Sequence, residues 1–514
     1  MTYGNGVEVS KRGPSPVEGQ KHTVGARLTL TPHEKHDFAL DIERGRQAYN
    51  NDECQLGSLD GLNRDCTASS PSRANGYTDE LRFNRDQLAL THTARLGIGT
   101  LDSSLMRNST ETLGRTIPGT IGVETKVPGA IGGADRELDT TNLVFDTKLV
   151  APMGDAHVGT LGAQWGKAEM TDGIAQETFE QKTWALFAED EWRLRDDLAL
   201  TLGARYDDHE AFGGHLSPRA YLVWNTTEYW TLKGGISRGY RAPDLNDLHA
   251  GINGATSQGE VITIGNPDLQ PEVTTSTEFG VYFDNLVDFN ANATLFHNRF
   301  DDKIASGDPI QIAGRPDIPD GSYAQQINID EAVTQGLELA ASWRFAPRWT
   351  LSGNYTFTDS EQKSGNNKGQ PLTNTPEHLA NAKLDWQTTD RLNLWLKSEY
   401  RGERARFTSS YENLADNGDR TTNQSIYDTL GKNTKAYTLF HLGGSFRASQ
   451  NVTLSAAVYN LLDKDFVKGK AYTTYNNGVA NGTAYGTDYS HSTAGTTGVM
   501  EEGRRLWLSA NITF

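Results

Sequence analysis

The stretch Leu198-Ala-Leu-Thr-Leu-Gly-Ala-Arg-Tyr-Asp207 decides the fold. Leu198, Leu200, Leu202, Ala204 and Tyr206 form one set; Ala199, Thr201, Gly203, Arg205 and Asp207 form the other. A period of 2 with an apolar and a polar set marks a strand whose two faces meet different media. The pattern recurs. Trp349, Leu351, Gly353, Tyr355 and Phe357 alternate with Thr350, Ser352, Asn354 and Thr356. Leu392, Leu394 and Leu396 alternate with Asn393, Trp395 and Lys397, and Leu506, Leu508, Ala510, Ile512 and Phe514 with Trp507, Ser509, Asn511 and Thr513. One such run suits a soluble sandwich; repetition along the whole chain does not.

Composition points the same way. Of 514 residues only 36% are hydrophobic, below the roughly 45–50% of ordinary soluble domains. Yet Trp 10, Tyr 19, Phe 18 and Gly 52 do not describe a polar disordered chain. A membrane helix needs about 20 apolar residues in a row, and the run 198–204 is already broken by Thr201 and Gly203. Residues 1–20 are polar and carry no secretory leader pattern. The net charge of −18 argues against a nucleic-acid-binding face. A transmembrane β-barrel shows lipid every second residue and keeps a polar lumen, which reconciles these numbers.

Loop lengths segregate. Short turns fall near 32–34, 96–99, 152–155, 195–197, 226–228, 284–286, 346–348, 388–390 and 449–451. Between them lie longer polar segments at 49–78, 114–137, 243–271, 302–325, 360–375, 404–434 and 464–501, with brief ones at 170–181 and 208–215. Short periplasmic turns and long extracellular loops are the plan of an outer-membrane barrel. The expected fold is therefore all-β, a transmembrane antiparallel β-barrel of 19 strands forming one domain over 1–514. Phe514 falls in the lipid-facing phase, where a terminal aromatic serves as an outer-membrane assembly signal.

Several motifs then narrow the family. They are Trp184-Ala-Leu-Phe-Ala-Glu-Asp-Glu-Trp, Leu202-Gly-Ala-Arg-Tyr-Asp and Leu216-Ser-Pro-Arg. Ser237-Arg-Gly-Tyr-Arg-Ala-Pro-Asp, Gly265-Asn-Pro-Asp-Leu-Gln-Pro-Glu, Tyr459-Asn-Leu-Leu-Asp-Lys-Asp-Phe and Glu502-Gly-Arg-Arg follow in order. Together these resemble the barrels of TonB-dependent siderophore receptors over nearly all of 24–514. Tyr400-Arg-Gly-Glu-Arg-Ala-Arg-Phe-Thr is similar to the catecholate branch, the FepA, Cir and IrgA/Iha-like receptors. The resemblance implies a bacterial outer-membrane receptor for ferric catecholates of the enterobactin type, working as a monomer and energised through TonB-ExbB-ExbD. Such barrels have about 22 strands around a plugged lumen. The first strand-like run, 23–30, already resembles a strand some way into that barrel. The expectation is thus a barrel portion without the N-terminal plug, the TonB box and about three strands.

Within the motifs, Gly and two prolines in 265–272 set a fixed bend that orders a long loop. Gly239 allows a close backbone approach, and Phe466 sits where an aromatic girdle is expected. Each of these is also readable as purely structural.

A ferric catecholate is bulky, aromatic and anionic, so Arg with Tyr or Phe is its natural partner. On an acidic chain three such clusters stand out: Arg404, Arg406, Phe407 and Tyr411; Arg238, Tyr240 and Arg241; and Arg73 with Tyr77. For each single residue a loop or lumen-wall role is the competing reading. Cys54 and Cys66, 12 apart in one long loop, suit a disulfide in an oxidising compartment, worth on the order of 3 kcal/mol. The pairs His33/His36 and His209/His215 lack a third ligand in register and read as surface or lumen histidines, so no protein metal site or cofactor is expected; iron arrives chelated. There is no P-loop, dinucleotide fingerprint or nucleophile elbow, and the chain does not read as an enzyme. Glu189 and Glu191, beside Arg193, suit a polar lumen wall, with Trp184, Leu186, Ala188 and Trp192 facing lipid. A passive porin and an adhesin or colicin/phage receptor are the rival functions.

Overall fold

The computed structural model describes residues 19–50, 77–117, 126–256, 261–307, 310–364, 368–407, 421–466, 469–476, 478–489 and 503–513. Among these, nineteen strands follow one another as an antiparallel meander from Gly19–His33 to Arg505–Ile512. All nine expected short turns are present at one end. Phe514, Cys54, Cys66, Arg73 and Tyr411 lie outside the described residues.

Register turns alternation into two surfaces. Leu28, Leu40, Leu90, Leu105, Phe145, Trp165 and Trp184 stand opposite one another in a single outward row across seven strands. All but Leu40 are among the exposed large hydrophobics. A one-residue slip anywhere in the row would turn that strand's apolar set inward. In water the row would cost about 25 cal/mol for each Å² left wet; against acyl chains that penalty vanishes. The inner face is polar and cross-linked. Gln164 Nε2 donates to Asp146 (2.8 Å), Arg205 Nη2 donates to Gln164 Oε1 (2.7 Å), and Arg205 Nε donates to Asp207 (2.9 Å). Glu189 lies on this wall as expected, and it pairs with Arg219 two strands away (3.0 Å), across Gly203 of the strand between them. Gly203 has no side chain to stand between them, so the two long side chains meet above it; a Cβ there would lie 3.0 Å from Glu189 Oε2 and 3.3 Å from Arg219 Cγ.

At the short-turn end the outward face carries an aromatic girdle. Trp230 and Phe283 have ring centroids 4.7 Å apart, Phe283 and Phe289 6.0 Å, and Trp349 and Trp386 4.9 Å.

The long segments are not plain polar loops. They contain the hairpin Ile252–Thr256 with Val261–Ile264, the strand Ile310–Ile312, the helix Thr422–Leu430, and the hairpin Gly469–Asn476 with Val479–Thr487. Two clusters of buried apolar side chains are built mainly from these loops, and a third joins Phe466 to Tyr437 and Leu439 at the end of wall strand Tyr437–Arg447.

Candidate functional site

The long-loop end is organised into two lobes. In the first, Ile117, Val127, Ile174, Ile252, Ile264 and Ile318 pack from four different loops, Ile174 being fully buried. Gly265-Asn-Pro-Asp-Leu-Gln-Pro-Glu272 ties this lobe to the wall, as its fixed bend suggested. Asn266 Nδ2 donates to the Gln326 carbonyl (3.1 Å), Gln325 Nε2 donates to the Gly265 carbonyl (2.8 Å), and Asn328 Oδ1 accepts from Gln270 N (2.9 Å). Only glycine fits at 265, since a Cβ there would lie 2.0 Å from the His249 carbonyl oxygen. At Gly239 the structure overturns the expected close approach: no atom lies within 4 Å of a Cβ built there.

The second lobe is built on the helix Thr422–Leu430. Thr421 caps it, its side chain accepting from Gln424 N (3.2 Å), and Gly431 ends it at φ 84°. Ile426 and Leu430 pack on Tyr472 of the hairpin, with Phe407 against them. Arg406 is 3% exposed, and its Nη2 donates to the carbonyls of Thr487 (3.0 Å) and Asp488 (3.1 Å). Burial lowers its pKa to about 10. Arg404 Nη1 donates to Asn374 Oδ1 (2.7 Å) and its Nη2 to the Tyr489 carbonyl (2.9 Å). Arg404 and Arg406 thus clasp loop 402–436 to loop 488–489, with Arg404 reaching loop 363–377 as well. Asp488 closes the clasp, taking ion pairs from Lys470 (2.7 Å) and Lys435 (2.9 Å). Its burial would raise the carboxyl pKa, but hydrogen bonds from Lys470 and Lys435 prevail and hold it below the usual value. Phe466 is a correction: it is 2% exposed, packed on Tyr437 (4.9 Å) and Tyr489 (5.1 Å), and takes no part in a girdle. The chain bends through left-handed Asn460 (φ 48°) and Asp463 (φ 53°) before it, leaving the regular strand path.

The rim holds the other expected cluster. Arg238 and Arg241 are exposed on the end of strand Trp230–Arg241, Arg241 lying 4.0 Å from Asp244. Tyr240 stacks on His215 (4.8 Å), which meets Phe212 (5.6 Å), itself stacked on His209 (3.9 Å). His209 is therefore a buried ring, not a surface histidine; its Nε2 lies 2.9 Å from Gln181 Oε1. Tyr77 opens strand Tyr77–Leu96 opposite Arg115. Among the described residues no group of three His, Cys, Asp or Glu is placed to hold a metal ion.

Sequence reasoning missed His215 and Phe212 as partners of Tyr240, and Asp488 and Asn374 as partners of the arginines. Val261-Ile-Thr-Ile was the one local signal for structure in the loops; Asp488 carries none.

Residues 25–461 match the family described as TonB dependent receptor-like, beta-barrel. The chain belongs to this family. An iron-regulated outer membrane virulence protein of Vibrio cholerae serotype O1 is 36% identical over 388 residues, covering 74% of this chain and 52% of that protein. A ferric enterobactin receptor of Pseudomonas aeruginosa is 31% identical over 379 residues, covering 65% and 49%. A crystal structure of a ferric enterobactin receptor variant from Pseudomonas aeruginosa in complex with enterobactin has the same fold. Its TM-score is 0.73 at 22% identity, covering 96% of this chain and 70% of that one. The chain spans about half the length of these two relatives. TonB-dependent receptor barrels are outer-membrane proteins, so the exposed apolar rows of this wall face lipid, the short turns face the periplasm, and both lobes stand outside the cell.

Proposed function

We propose that this barrel serves an outer-membrane receptor that captures ferric catecholate siderophores of the enterobactin type and passes them inward with energy from TonB. One observation carries the reading: the relatives that this chain matches over most of its length include ferric enterobactin receptors. Rim chemistry supports it, since exposed Arg238 and Arg241 flank the Tyr240–His215 stack and offer charge and ring faces to an aromatic anion. Arg404, Arg406 and Phe407 contribute by holding the second lobe in place over the mouth. The iron comes as part of the ligand, with no resident cofactor, and one copy of the barrel suffices. Whole-receptor uptake runs through TonB-ExbB-ExbD and a plug domain in the lumen. Colicin or phage attachment to the same loops is a second use, and it would compete with the siderophore.

Uptake of radiolabelled ferric enterobactin by a receptor-null strain carrying the full-length gene tests the proposal. TonB-dependent uptake is expected. Uptake that persists without TonB would identify a passive porin, and no uptake would remove the transport assignment.

A further inference from the structure

The periplasmic turn between strands Glu272–Asp284 and Phe289–Ser306 is built unlike a turn meant for water. Six described residues other than glycine adopt a positive φ, and five are Gln, Asn or Asp; the sixth is Leu286, at 60°. Leucine has no local hydrogen bond to offset that conformation. Its side chain is 65% exposed and that of Val287 70%. A strained backbone that holds two apolar side chains out of the protein is a combination that points to function.

The backbone N–H groups of the turn are all taken within it. Asn285 Oδ1 accepts from the N–H groups of Val287 (3.0 Å), Asp288 (2.9 Å) and Phe289 (2.9 Å). Asp284 Oδ1 accepts from Leu286 N (2.7 Å), and Asn285 N donates to the Phe289 carbonyl (3.0 Å). All five N–H groups from Asn285 to Phe289 are therefore used inside the turn. The Val287 and Asp288 carbonyls accept from Arg344, through Nη2 (2.6 Å) and N (2.8 Å), and Asn285 Nδ2 donates to the Asp288 carboxylate (2.7 Å). Water makes no such demand of the donors; a lipid interface does. The turn also continues the girdle, with Phe283 and Phe289 at its two feet and exposed Tyr229 joined to it through Asp284 N (2.9 Å). Tyrosine in that position belongs to a membrane–water boundary.

We propose that the turn 284–289 is a membrane tooth, inserting Leu286 and Val287 into the periplasmic phospholipid leaflet and extending the lipid-facing wall past the strand ends. Its occupant is lipid, because the patch is continuous with the bilayer-facing girdle and its backbone donors are already taken. The full receptor, with Cys54→Ser and Cys66→Ser, is reconstituted in vesicles of phosphatidylethanolamine and phosphatidylglycerol. A nitroxide is placed at Val287→Cys, with Asp155→Cys in another periplasmic turn as reference. Power-saturation spectra are expected to show position 287 relaxed more by oxygen than by a water-soluble nickel chelate, and position 155 the reverse. Leu286→Asn keeps a residue that tolerates positive φ but removes the apolar tip; it should shift the label at 287 toward the nickel reagent while heat-modifiable migration is retained. A signal at 287 dominated by nickel in the parent overturns the proposal. Shielding from both reagents overturns it as well, and shows a periplasmic protein seated on the turn.

Discussion

Arg136 grips Asp172 through two parallel hydrogen bonds, Nε to Oδ1 at 2.9 Å and Nη2 to Oδ2 at 2.7 Å, with side chains only 10% and 5% exposed. Asp172 Oδ1 also accepts from Ile174 N (2.9 Å), so the pair anchors the most buried residue of the first lobe. Arg136→Ala leaves a carboxylate buried without its counter-charge, a loss of about 3–5 kcal/mol. Amide exchange at 172–176 and 130–136 should rise sharply while the wall strands stay protected. Arg136→Lys should not restore it, because an ammonium cannot make the planar two-point contact.

The clasp at Asp488 makes the second lobe acid-sensitive. Its carboxyl pKa is lower in the folded protein than in the unfolded chain, so the contribution is fully present above the ordinary value of 3.8 and is lost as pH falls through the folded value. Proteolysis of loops 421–436 and 469–489 should therefore increase below about pH 4. Asp488→Asn should show the loosened pattern at neutral pH and no further acid step.

Two glycines give opposite outcomes for the same substitution. Gly265→Ala drives a Cβ into the His249 carbonyl at 2.0 Å and should destabilise the first lobe by several times the effect of Gly239→Ala. The latter meets open space and should stay within about 0.5 kcal/mol of the parent. Urea unfolding of the two variants in vesicles checks the pair.

On the wall, Leu161 lies between the aromatic pairs Trp165/Trp184 and His157/Trp192 and is 62% exposed to lipid. Leu161→Arg should cost about 2–4 kcal/mol, the value for a cation near the bilayer midplane. Thr160→Arg, one residue away, points inward opposite Glu189 and should cost much less. Equal losses would mean that the two faces have been assigned the wrong way round.

The nine short turns, the nineteen strands and the outward sets of strands such as Leu198–His209 and Trp349–Gln362 were legible in the sequence. Alternation is local: Leu198 to Tyr206 carry their facing in their own spacing, and a wall strand needs only its neighbours to complete it. The roles of the arginines were not. Arg406 looked like a ligand-binding cation because its neighbours in sequence are Arg404 and Phe407, yet its hydrogen-bond partners lie 81 and 82 residues away. Arg238 and Arg241 remain exposed at the rim, where Tyr240 found a partner in His215 across a strand junction.

By itself, the sequence determined that this chain is an antiparallel membrane wall with long loops on one side, since a period of two between lipid and lumen admits little else. Only the tertiary structure decided what the loops do. Their buried residues come from segments as far apart as Ile117 and Ile318, and no local spacing announces which distant carbonyl a buried guanidinium will find. It also decided that Leu286 bends against its own preference, because that strain is held by Asn285 and Arg344 rather than by anything leucine contributes.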